Sequence, residues 1–167
     1  MPKISVIIRS KNEERYLGKV LESLAGQSFS DFETILVDDR STDGTIEIAK
    51  EYGCRIVEIP EGKFSHPHSC NLGAESAEGE ILVFLNGHSV PRSATFLEDG
   101  LRNFADSKVA GAYCLPICHE DGTFADKCLY LPMGLTVGRM RFLAGPESPG
   151  LMGTTNSMLR KSLWEEF

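Results

Sequence analysis

Val37-Asp38-Asp39-Arg40-Ser41-Thr42-Asp43-Gly44-Thr45 joins the end of an apolar run, Glu33-Thr34-Ile35-Leu36-Val37, to a helical pattern that opens at Thr45. Asp38 and Asp39 stand side by side at a strand end, where two adjacent negative charges are costly. The polar residues after them have the composition of a turn followed by a helix start. Strand, polar turn and helix in that order make one unit of an α/β sheet, and in such sheets ligands collect at the carboxyl ends of the strands. The acid pair lies either at a pocket or on a solvated turn, and spacing alone leaves both readings open.

The same unit recurs on either side of this stretch. Residues 4–8, Ile-Ser-Val-Ile-Ile, form a nearly continuous apolar run, as expected of a strand covered on both faces. It breaks abruptly into Arg9-Ser10-Lys11-Asn12-Glu13-Glu14. Tyr16, Leu17, Val20, Leu21 and Leu24 then recur at helical spacing, with Asn12 expected as the cap and Gly26 at the end. Further strands are expected at 34–37, 55–59 and 81–85, and helices at 45–52, 69–77 and 93–104. This alternation predicts a parallel sheet with right-handed crossovers. Beyond residue 105 the signal weakens. A strand over 108–117, a hairpin-type turn at Asp121-Gly122, a strand over 151–159 and a helix from 161 to 167 flank a stretch, 125–150, rich in glycine and proline. No repeat, low-complexity tract or linker divides the chain, so one domain is expected over 1–167.

Bulk properties set limits on the partners. The 167 residues include 17 basic and 24 acidic side chains, a net charge of −7, which argues against a general nucleic-acid surface. Hydrophobic content of 41% and charged content of 25% are ordinary for a globular domain. The apolar run at 4–8 is too short for a signal peptide, and no run reaches the roughly 18 apolar residues of a spanning helix. The five cysteines are odd in number and loosely spaced, which fits reduced thiols and a cytoplasmic location. Cys114, Cys118 and His119 with Cys128 could be read as a zinc site, but the spacing is irregular and buried thiols are the default. Cys70 is a reactive-thiol candidate only if it faces a pocket. Arg139-Met140-Arg141 reads as a solvated loop.

Three strand ends carry polar groups that a core does not need: Arg9-Ser10-Lys11-Asn12-Glu13, Asp38-Asp39-Arg40-Ser41, and Asn86-Gly87-His88. In a parallel sheet these share one edge. Basic groups at the first suit phosphate, carboxylates at the second suit a base or ribose, and Asn86 with His88 suits a divalent metal. The chain has no G-x-G pair and no P-loop string, so a dinucleotide-binding loop and a P-loop are both excluded.

These residues resemble a known family. Ser5-Val6-Ile7-Ile8 with Lys11-Asn12-Glu13, Gln27-Ser28-Phe29-Ser30-Asp31-Phe32-Glu33, and the Asp38-to-Thr45 string together look like the N-terminal half of family 2 glycosyltransferases. The likeness continues through Asn71-Leu72-Gly73-Ala74 and Gly79-Glu80-Ile81-Leu82-Val83-Phe84-Leu85. It returns at Gly153-Thr154-Thr155-Asn156 and Arg160-Lys161-Ser162-Leu163-Trp164. The resemblance implies the GT-A fold, a Rossmann-like, mostly parallel sheet with helices on both faces. Residues 1–105 would form the nucleotide-sugar-binding part and 106–167 the acceptor-side part.

The family's chemistry follows as an implication. A nucleotide-diphosphate sugar lies along the strand ends and an acceptor hydroxyl attacks its anomeric carbon, usually with inversion. A carboxylate acts as general base and a metal supports the leaving diphosphate. Carried over by position, Arg9, Lys11, Glu13, Asp38, Asp39 and Asn71 would hold the donor nucleotide, with Asp39 meeting the base and Asp38 its structural neighbour. Gly153, Thr154, Thr155 and Asn156 would border the acceptor. Asn86 and His88 stand where the family has its D-x-D, so a Mn or Mg ion would bind there with less negative charge. The family's A-R-N-x-G is Ser69-Cys70-Asn71-Leu72-Gly73 here, so the phosphate-facing arginine is a cysteine; His66 and His68 are the nearby substitutes. The family's E-D base motif lies downstream of the region matching Trp164 and is expected to be missing from a chain that stops at Phe167. The alternative is accordingly a truncated or degenerate relative that binds a nucleotide or a partner without catalysis. A nucleotidyltransferase, which shares the sheet, is weaker because its glycine- and basic-rich first loop is absent. A chain ending in mid-element also invites a homo-oligomer through its exposed edge.

Overall fold

The computed structural model describes residues 1–114, 121 and 155–166. Six strands form one sheet in the order β3-β2-β1-β4-β6-β5. The strands are β1 (Ile4–Ser10), β2 (Phe32–Asp38), β3 (Arg55–Glu58), β4 (Ile81–Asn86), β5 (Gly111–Tyr113) and β6 (Ser157–Arg160). The first four are mutually parallel, whereas β6 runs antiparallel to β4, and β5 antiparallel to β6. The sheet is mostly parallel, as the alternation of elements predicts, with a mixed far edge.

Helices α1 (Glu14–Ala25), α2 (Thr45–Glu51), α3 (His66–Ser76), α4 (Phe96–Arg102) and α5 (Lys161–Trp164) cover both faces. Strand alternation decides which side chains meet which helix. Ile4, Val6 and Ile8 of β1 point to one face, where Leu17, Val20, Leu21 and Leu24 of α1 join Ala49 of α2 and Leu97 of α4. Ile7 points to the other face with Ile35, Val37 and Phe84, against Cys70 and Ala74 of α3. Trp164 of α5 lies on Phe84 with ring centroids 5.0 Å apart. Each fully buried Leu, Ile or Phe contributes about 1.5–3 kcal/mol of transfer free energy. These two layers hold the sheet edge rigid enough to present a site.

Several boundaries differ from expectation for identifiable reasons. α3 starts at His66 rather than 69, because the Ser65 side chain accepts from His68 N–H and Pro67 fits the first turn. The helix expected at 93–104 is α4 followed by a 3₁₀ turn, Asn103–Ala105. The strand expected at 108–117 is described as Gly111–Tyr113, and that expected over 151–159 as Ser157–Arg160. Gly122, the 125–150 stretch, Cys118, His119, Cys128 and the 139–141 triplet lie outside the described residues.

The cap of α1 is the most informative correction. Asn12 does not cap it; Asn12 adopts a left-handed φ of 54°, and Glu13 takes the cap position with no side-chain cap bond. The first N–H groups of α1 are satisfied from the loop after β2 instead. Glu13 N–H donates to Thr45 Oγ1 at 2.8 Å, and Glu14 N–H donates to Asp43 Oδ2 at 3.2 Å. The favour is returned: Gly44 N–H, at the cap of α2, donates to Glu14 Oε2 at 2.8 Å, and Thr42 N–H donates to Asn12 Oδ1 at 2.8 Å. Two helix starts, each with orphan donors, cap one another.

Candidate functional site

The parallel register sets the site. Arg9 pairs with Val37 on β2 and with Asn86 on β4, so three strands end at one level. The loops after them carry the polar clusters singled out from the sequence.

The adjacent acids divide their work. Asp38 is buried, and its Oδ2 and Oδ1 accept from Ser41 N–H at 2.7 Å and from Ser41 Oγ at 2.5 Å. Asp43 likewise accepts from Thr45 Oγ1 at 2.5 Å and from Thr45 N–H at 3.1 Å. Both shape the turn. Asp39 is the acid turned to the open edge, where Lys11 Nζ donates to its Oδ2 at 2.8 Å. Arg40, at φ 57°, turns away to pair with Glu61.

Arg9 points toward the end of β4. Its Nη2 donates to Asn86 Oδ1 at 2.6 Å and to Thr155 Oγ1 at 3.5 Å, and its Nη1 to His66 Nδ1 at 3.3 Å. Asn86 Nδ2 also donates to Thr155 Oγ1, at 3.2 Å. Lys11 therefore stands with Asp39 at the β2 end, and Arg9 with Asn86 at the β4 end. Thr155 closes the cluster from the start of β6, and Asn156, at φ 56°, accepts Cys114 N–H on its carbonyl at 2.9 Å. Gly153 and Thr154 lie outside the described residues.

Glu13 joins the β4 end. Its Oε1 lies 2.7 Å from His88 Nδ1, a hydrogen-bonded pair that orients the ring. Gly87 permits this, since a Cβ there would stand 2.7 Å from Glu13 Cγ. Asn71 is placed apart, exposed on α3, where it lines a cleft of about 280 Å³ with Trp164 and Lys161. Cys70 is buried at 1% exposure among Ile7 and Phe84, so it faces no pocket.

Asn86 and His88 do not fit the metal expected of them. Among the described residues no three His, Cys, Asp or Glu side chains gather at a point. More directly, the amide oxygen that would ligate an ion is the acceptor of a guanidinium. An ion bound to it at an ordinary oxygen distance of about 2.1 Å would stand within about 5 Å of that cation. Repulsion at about 4 Å is on the order of 4 kcal/mol per unit charge at an effective dielectric of 20, and doubles for a dication. Positions 86 and 88 bring no carboxylate to offset it, and that of Glu13 is bonded to His88.

A sheet with nucleotide-binding topology and charged, hydrogen-bonding groups at its strand ends defines a GT-A-type domain. Residues 5–167 match the profile of glycosyl transferase family 2, and the chain belongs to that family. It is 32% identical over 121 residues to a 4,4'-diaponeurosporenoate glycosyltransferase of Staphylococcus haemolyticus, a match covering 70% of this chain and 32% of the relative. It is 33% identical over 144 residues to the putative glycosyltransferase EpsE of Bacillus subtilis, covering 74% and 52%. The chain thus spans between a third and about half the length of these relatives. In fold it is similar to Staphylococcus aureus TarS 1-349 in complex with UDP-GlcNAc, with TM-score 0.70 at 23% identity over 98% of this chain and 47% of that one. It is also similar to the mannosyltransferase PcManGT of Pyrobaculum calidifontis in complex with GDP-Man and Mn²⁺, with TM-score 0.63 at 24% identity, covering 68% and 35%. Among the described residues no helix is long and apolar enough to cross a membrane.

Proposed function

We propose that this chain is the donor-binding part of a cytoplasmic glycosyltransferase that uses a nucleotide-diphosphate sugar. The observation that carries the reading is the row of side chains across three neighbouring strand ends: Asp39 just after β2, Arg9 on β1 and Asn86 on β4. Residues 1–105 form the donor part and 106–167 the acceptor-side part, in one domain. Asp39 and Lys11 take the nucleoside, with Asp39 accepting from a base or ribose. Asp38 and Asp43 keep the loop in shape. Thr155 lies where the diphosphate end of the donor meets the acceptor side. An acceptor hydroxyl attacks the anomeric carbon from the face opposite the diphosphate, loses its proton to a carboxylate base, and the C–O bond to the diphosphate breaks with inversion.

Family membership and the donor-bound complexes of the fold neighbours support this reading. A binding-only role is favoured by one observation, the replacement of acids by Asn86 and His88 at the β4 end. Calorimetric titration with UDP- and GDP-sugars tests the donor site, and assays of sugar release or transfer then separate the two roles. Failure of every nucleotide to bind would remove the reading.

A further inference from the structure

We propose that Arg9, rather than a metal at Asn86 and His88, supplies the positive charge that holds the donor's diphosphate. The inference rests on the nucleotide-sugar reading above and deepens it. Three independent features of the chain converge on this guanidinium.

The first is position. Arg9 and Asn86 are register partners at the last rung of β1 and β4, so the side chain stands at the centre of the strand-end edge. The second is fixation. Asn86 Oδ1 and Thr155 Oγ1, from chain positions 77 and 146 residues away, both accept from Nη2. A flexible side chain is thereby held in one orientation by neutral oxygens, which lowers the entropy lost when an anion binds. The third is charge: position 86 is a neutral amide and position 70 a buried cysteine, so neither brings a cation to this edge, and the guanidinium bonded to Asn86 is that of Arg9. His66, in the first turn of α3, extends the same donor-rich corner through its contact with Nη1.

A guanidinium recognises diphosphate oxygens by paired N–H donors, and such charge-assisted bonds are the strong ones. The chemistry assigned is therefore anion binding by Nη1 and Nη2, diphosphate oxygens replacing the long contacts to His66 at 3.3 Å and Thr155 at 3.5 Å while the 2.6 Å bond to Asn86 keeps the group in place.

The test is calorimetric titration of the full chain with UDP, GDP, the matching nucleosides and inorganic pyrophosphate, each in EDTA and in Mn²⁺. The expected result is a diphosphate affinity that changes less than about threefold between the two conditions. Arg9→Gln is expected to weaken diphosphate binding by about tenfold or more while leaving nucleoside binding unchanged. Arg9→Lys, which keeps the charge and loses the fork, should fall between. Diphosphate binding that needs Mn²⁺ in the parent chain overturns the inference without any variant. So does an unchanged ratio of diphosphate to nucleoside affinity in folded Arg9→Gln. If neither nucleosides nor diphosphates bind, the nucleotide-sugar reading itself falls, an outcome distinct from a metal requirement.

Discussion

Lys11 Nζ and Asp39 Oδ2 lie 2.8 Å apart at the open edge of the sheet, the lysine side chain 59% exposed and the aspartate 14%. A pair this exposed adds about 0–1 kcal/mol to stability, so its value lies elsewhere. It holds the Asp39 carboxylate at the edge, and in the proposed function a ligand's donors replace the lysine there. Asp39→Asn is expected to weaken nucleoside binding about tenfold and to leave the melting temperature nearly unchanged. Titration calorimetry paired with a thermal melt reads both, and a large fall in melting temperature would move Asp39 to the structural side.

Asp43 should behave in the opposite way. Burial pushes its carboxyl up, but hydrogen bonds from Thr45 side chain and backbone and from Glu14 N–H outweigh this and hold it below the ordinary carboxylate range. A depressed folded value means that the ionised form stabilises the fold at neutral pH. That contribution disappears as pH falls through the folded value. Asp43→Asn is expected to cost about 1 kcal/mol at pH 7, with the deficit shrinking below about pH 4. Urea denaturation of both proteins at pH 7 and pH 3 checks this; equal deficits at the two values would contradict it.

Gly79 lies under β1. A Cβ there would stand 2.6 Å from both Ile4 C and Ser5 N, and backbone atoms cannot step aside as a side-chain tip can. Its N–H also donates to the buried Ser5 Oγ at 2.8 Å. Gly79→Ala is expected to destabilise the chain by about 1–3 kcal/mol through overpacking. A denaturation midpoint equal to that of the parent would show that β1 can shift.

Burial pushes the Cys54 thiol up to about 11. At pH 8 only about one molecule in a thousand then carries the thiolate, the form that reacts. Cys54→Ser is expected to leave the number of thiols that react rapidly with an aromatic disulfide unchanged in the native chain. Loss of one fast thiol would show that Cys54 is accessible.

How much of this was readable beforehand depends on range. The alternation of apolar strands and amphipathic helices through residue 105 is local, and the elements stand where periodicity puts them, with Leu17, Val20, Leu21 and Leu24 buried as expected. The acid-rich loop was legible as a candidate site, but the separate duties of Asp38 and Asp39 were not, because they depend on which carboxylate reaches Ser41 and which reaches Lys11. Asn12 has the composition of a cap, and its left-handed backbone is set by a loop 30 residues on. The start of α3 did leave a signal, Ser65 followed by Pro67, that outweighs the polar look of the histidines. The placement of β6 between β4 and β5 and the contact of Arg9 with Asn86 are long-range facts with no local trace.

The reciprocal capping of α1 and α2 bears on anyone who would graft this edge onto another sheet. Residues 10–14 and 38–45 supply each other's missing acceptors, so neither loop is complete without the other, although Asp38 and Asp43 bond within their own turn. Transplanting the acid-rich stretch alone would leave the Thr42 and Gly44 N–H groups without their acceptors. The unit that can be moved, shuffled or redesigned is the pair of loops, cut from two places in the chain and kept together.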